Sequence, residues 1–176
     1  MPRYGLSGAN LTTVAIQQHY NDLEAGLRLF FSPLNPGYAS RFLGYTSGEV
    51  SSEMNERAQE LDKQTVLSLL SSIEAQFRVD YLLRCKQKLK DPLSKSLRGV
   101  HAKRAEKARL DEDILETWKD ALPETGALIS QLRGAFRMRH WLAHGRYWTP
   151  KLGQTYDYAV VSALAEAVDQ SLAIER

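Results

Sequence analysis

Between residues 128 and 143 the apolar positions fall on one side of a helix, and an arginine falls among them. At about 100° per residue, Leu128, Ile129, Leu132, Ala135, Phe136, Leu142 and Ala143 share a sector, and Arg139 projects into its middle. A cation there must be paired, hydrogen-bonded or turned to a hydrated cleft, because a buried charge that loses its partner costs about 3–5 kcal/mol. The spacing thus predicts a helix, 124–145, that packs on one side and lines a polar pocket. His140 and His144 lie four apart and share a face at the edge of the stripe, and Gly145 stands where a helix C-cap belongs.

Helical periodicity extends over most of the chain. Ile16, Tyr20, Leu23 and Leu27 predict a first helix from an Asn10 cap to Phe31, and Val161, Leu164, Ala165, Val168 and Leu172 predict a last one. Between 65 and 88, Val66, Leu70, Ile73, Phe77 and Tyr81 form a core stripe, with Glu74 and Asp80 on its flanks and Arg84 at its centre. A short helix is expected at 51–60, a basic one from Ser94 to Ala108, and one opening at Asp111 and ending at Pro123. Residues 32–48 and 149–156, rich in Pro and Gly, read as a long loop and a connector. No strand pattern or internal repeat stands out. The expectation is an all-α bundle of about five to seven helices in a single domain, 1–176.

The chain has 176 residues and a net charge of +2, distributed unevenly. Residues 84–109 hold ten Lys or Arg against two acids, a net of +8, which leaves −6 on the rest. A basic patch on an acidic body is an electrostatic footprint for a phosphate-rich partner, or a solvated helix face. No stretch approaches the ~18 apolar residues of a membrane span, and the one cysteine, Cys85, fits a reducing compartment and a packing role. The expected location is cytoplasmic, with no membrane partner.

Arg139, four residues, His144, with polar His140 directly after the arginine, resembles the R-x4-6-H signature of the HEPN superfamily. The long amphipathic helix, Leu142 and Ala143 before the histidine and one further helix downstream match that context. Two residues after His144 stands Arg146, with tyrosine displaced to Tyr147, so the H-x-Y extension of some toxins in the superfamily is not met. The all-helical layout is closer to the RiboL-PSP branch. The resemblance implies a dimeric, metal-independent ribonuclease, often restrained by an antitoxin protein, with Glu74 as the acidic residue that an earlier helix sets near the motif. Glu74 otherwise reads as an i,i+4 surface partner of Arg78.

The residues themselves suit that chemistry. Histidine titrates near neutrality and can move protons at a 2′-hydroxyl and a leaving 5′-oxygen; arginine stays charged and can stabilise a phosphate. Arg139 and His144 are the catalytic candidates, His140, Glu74 and Asp80 the supporting ones, and Lys103, Arg104, Lys107, Arg146 and Tyr147 the RNA-binding ones. Five residues along a helix turn the chain by about 140°, so the two catalytic side chains diverge, and a twofold dimer is the simplest way to unite them. No cofactor or metal is called for, although His140 and His144 have a spacing that could ligate zinc. The alternative is a non-catalytic module of the same fold that binds nucleic acid, nucleotide or protein.

Overall fold

In the computed structural model, residues 8–175 are described. Seven α-helices are found among them and no strand: α1 (Thr13–Phe30), α2 (Tyr38–Arg41), α3 (Ser47–Gln87), α4 (Pro92–Arg104), α5 (Glu116–Ala121), α6 (Gly126–Ala143) and α7 (Tyr158–Ser171). The chain is an all-α bundle. None of the described helices is long and apolar enough to cross a membrane.

One helix organises the rest. The expected pair of helices at 51–60 and 65–88 is a single helix of 41 residues, about 60 Å long. The Thr46 hydroxyl accepts from Glu49 N while the Glu49 carboxylate accepts from Thr46 N, a reciprocal cap that fixes its start. From Glu49 to Lys88 there is no glycine or proline, and the weakly patterned middle consists of good helix formers, Glu, Arg, Ala, Gln and Leu. Propensity carries the helix through where hydrophobic periodicity fades. Its second half buries Val66, Leu69, Leu70, Ile73, Phe77 and Tyr81 against Ile129, Leu132 and Ala135 of α6 and Val161, Leu164, Ala165 and Val168 of α7. Trp118 of α5 is fully buried in the same core, edge-on to Phe77.

The segment 32–48 is more structured than a loop. It contains α2, and Phe42 is buried with Phe31 and Val50 in a small satellite core that Tyr38 flanks. Arg41 lies 3.7 Å over the Phe30 ring, a cation–π contact. Other boundaries shift slightly: Thr12 rather than Asn10 caps α1, and Asp91 caps α4 with Pro92 in its first turn. A wide π turn, Leu110–Leu115, leads into α5.

Arg84 is not part of the basic surface. It is 4% exposed, and its guanidinium meets Asp80 Oδ1 at 2.6 Å, Ser94 Oγ at 3.1 Å and the carbonyl of Ala173. Asp80 Oδ1 also accepts from Glu175 N at 2.8 Å. Burial pushes the Asp80 carboxyl up, opposed by the Glu175 N–H and by Arg84. This buried network ties α3 to α4 and to the C-terminal tail.

Tyr156, in the connector between α6 and α7, is buried directly on Gly134 of α6. A Cβ at Gly134 would stand 1.9 Å from the Tyr156 hydroxyl oxygen and 3.1 Å from the ring carbon that bears it. Gly134→Ala is therefore expected to destabilise the protein by about 1–3 kcal/mol through overpacking, against the ~1 kcal/mol gain that helix propensity alone predicts. Tyr156→Phe in the same background should recover part of the loss. Urea unfolding of the two single variants and the double variant measures this, and a Gly134→Ala protein more stable than wild type would refute the close approach.

Candidate functional site at the end of helix α6

The stripe on α6 is displaced from its expected centre. Met138, not Arg139, continues the buried series Ile129, Leu132, Ala135, so Arg139 emerges at the edge of the core, its side chain 34% exposed. Its partners lie on α3. Arg139 Nη1 is 3.0 Å from Glu74 Oε2, and Arg139 Nε donates to Ser71 Oγ at 3.3 Å. The other oxygen of Glu74 accepts from Arg78 Nε at 2.7 Å, and Arg78 reaches on to the carbonyl of Ala108. Glu74 thus faces Arg139 across the helix pair and Arg78 along its own helix. Asp80, the other acid considered, lies against Arg84.

Helix α6 stays regular to its end. His144 N donates to His140 O, and Arg146 N donates to Trp141 O at 3.2 Å, with Gly145 at φ 82°. This is the left-handed closure that favours glycine at that position. His140 and His144 are both exposed, their ring centroids 4.3 Å apart. Trp148 folds back beside them: its carbonyl accepts from Trp141 Nε1 at 2.6 Å, and its ring lies 5.8 Å from that of His140. Arg139 is held by Glu74 and Ser71 of α3, whereas the two imidazoles are exposed. Among the described residues no group of three His, Cys, Asp or Glu could hold a metal ion.

The RNA-binding candidates form two groups rather than one. Arg146 grips Glu60 of α3 through two hydrogen bonds of 2.6 and 2.9 Å, which holds the Glu60 carboxyl low and the guanidinium high. Tyr147 beside it is 84% exposed. Lys103, Arg104 and Lys107 are exposed at the end of α4, where Ala105 O accepts from the Tyr81 hydroxyl. Glu60 and Tyr81 are 21 residues apart on one continuous helix, about 31 Å along it. The basic cluster and the histidine end therefore mark different stretches of α3.

Every ion pair among the described residues uses an arginine. Six lysines are exposed from the end of α3 onward: Lys86, Lys88, Lys90 and Lys95 near the turn into α4, and Lys103 and Lys107 at its far end beside exposed Arg104. Burial pushes the Cys85 thiol up, away from the nucleophilic thiolate.

One feature was not foreseen. A cleft of about 510 Å³ opens between α3, α6 and the connector, with Gln59, Lys63 and Val66 on one wall, Met138 and Trp141 on another and Leu152 to Asp157 closing it. Only the Pro150 and Gly153 punctuation of the connector hinted at it. A larger groove of about 760 Å³ runs along the face of α3 that meets the start of α1, and α6 contributes nothing to it.

No family model, curated protein or solved structure matches the chain.

Removing Glu74 leaves two guanidiniums facing each other. Glu74→Ala is expected to lower stability by about 1–2 kcal/mol, since both arginines are partly solvated, and Glu74→Gln by less. Chemical denaturation checks this, and an unchanged Glu74→Ala midpoint would mean that Arg139 is held by solvent rather than by α3.

Proposed function

We propose that the chain is a metal-independent endoribonuclease of HEPN type whose site is composed across a homodimer. The observation that carries this reading is the regular course of α6 to its cap. It directs Arg139 to Glu74 and Ser71 and leaves His144 exposed beside His140, and the turn of about 140° that five helical residues put between the two supports a site shared between copies. Two copies related by a twofold axis through the exposed helix ends supply two arginines and two histidines to a single cleft.

In that cleft His144 of one copy takes the proton of the 2′-hydroxyl as O2′ attacks phosphorus. The P–O5′ bond breaks, and His144 of the other copy gives its proton to the departing O5′. The products are a 2′,3′-cyclic phosphate and a 5′-hydroxyl end. Arg139, permanently charged, stabilises the phosphorane-like charge, and His140 orients its neighbour or donates to the phosphate. Such an exposed site also invites a restraining antitoxin protein.

The second reading, a binding module without chemistry, is favoured by the exposed lysines, which lie apart from the histidines. Incubating a mixed RNA pool in excess EDTA separates the two. Wild type should cut, leaving cyclic phosphate ends, and folded Arg139→Ala and His144→Ala proteins should each lose about 100-fold or more in rate. A variant that dissociates the dimer should lose cutting as well. No cutting by wild type, with RNA binding that falls on replacing Lys103 and Lys107, would establish the binding module instead.

A further inference from the structure

We propose that the cleft between α3, α6 and the connector receives one unstacked nucleobase of the RNA strand; this rests on the nuclease reading for the strand that carries the base. At about 510 Å³ the cleft lies in the range that small molecules occupy. Its walls and polar groups have distinct chemistry. Val66, Met138, Trp141 and Leu152 supply apolar surface, and the Trp141 ring is fixed in its plane by the hydrogen bond from Nε1 to Trp148 O. An immobilised indole is a stacking platform for any base.

Gln59 and Gln154 stand in the same lining. Each amide both donates and accepts, which matches the mixed edge of a base splayed from its strand. Two carboxylates are present but engaged: Asp62 accepts from the Tyr20 hydroxyl at 2.7 Å, and Asp157 accepts from Val160 N as the cap of α7. Lys63 makes no ion pair with another described residue within 4 Å and is the lining's one cation. A flat apolar body and a mixed hydrogen-bonding edge describe a nucleobase, whose phosphate stays outside a lining that carries two carboxylates against one lysine.

Placement supports the same occupant. Met138 and Trp141 bracket Arg139 and His140 in sequence, and Trp141 and His144 are three residues apart, neighbours on the helix surface. A base seated on Trp141 leaves its backbone running past the histidines. Tyr156, buried on Gly134, fastens the connector that closes the cleft, so the space is preformed.

The test titrates the full chain with the 3′-monophosphates of uridine, cytidine, adenosine and guanosine, following amide and indole NMR signals. At least one nucleotide should saturably shift the signals of Gln59, Trp141 and Gln154, and inorganic phosphate alone should not. Gln59→Ala and Gln154→Ala should each weaken binding about fivefold, the loss of one hydrogen bond, and in the cleavage assay should alter which base flanks the cut. Nucleotide binding at the cleft without any RNA cleavage would sustain the base site and overturn the nuclease. Cleavage with unchanged base preference in both variants, and no nucleotide shifting the cleft signals, would overturn the base site alone. Shifts confined to Lys103 and Lys107 would overturn it too.

Discussion

A guanidinium with 5% of its side chain exposed does not stay in a helical bundle unless something answers it from nearly every side. Arg84 is answered by Asp80 on its own helix, by Ser94 and Asp91 at the start of α4, and by the carbonyl of Ala173 in the tail, and it lies 5.6 Å over the ring of Trp118. Such a network adds little net stability over a well-packed apolar cluster, but breaking it strands a charge. Its contribution is geometric. Three segments distant in sequence converge on one point of α3, and that point fixes where α4 leaves, where α5 packs and where the tail ends.

The stretch of α3 from Glu60 to Glu74 is stapled to the end of α6 and the turn beyond it by charges of the same kind. Glu74 holds Arg139 and Glu60 holds Arg146, so the acids descend along α3 as the arginines ascend along the chain of α6, and the helices are antiparallel. Between the two staples Val66, Leu69, Leu70 and Ile73 of α3 pack inward, and the imidazoles of His140 and His144 remain outside. The end of α6 is thereby rigid on its inner side and open on its outer side, a disposition suited to groups that must be held in place yet meet a large ligand.

The helical architecture was legible because it rests on periodicity: every predicted core residue of α3 and α7 is buried. What lay beyond that reading has physical causes. A helix carried by propensity has no stripe to count, so the spacing predicts a break at 61–64 where α3 runs on. Burial of a charge depends on partners far away in sequence: the stripe places Arg84 at its centre, but no local pattern supplies its answering carbonyl, 89 residues away. The i,i+4 pairing of His140 with His144 is local and was readable; the displacement of Arg139 from the stripe's centre to its edge depends on how α6 rolls against α3. The close approach of Tyr156 to Gly134, and the cleft it closes, are properties of a connector whose path no pattern encodes.

On a simple count, the pairing of Arg139 with Glu74 neutralises the very cation that phosphate chemistry needs. The charge balance argues otherwise. Glu74 is shared between Arg139 and Arg78, two guanidiniums on one carboxylate, so the cluster keeps one positive charge. The carboxylate takes Nη1 of Arg139 and Ser71 takes Nε, which leaves Nη2 free of both and a third of the side chain open to solvent. A guanidinium already oriented by two bonds gives up less rotational freedom on meeting a phosphate than a free one does. Glu74 in this arrangement trades some of the site's electrostatic strength for its geometry, and in the proposed reaction geometry matters more, because the charge to be met develops only as the bond breaks.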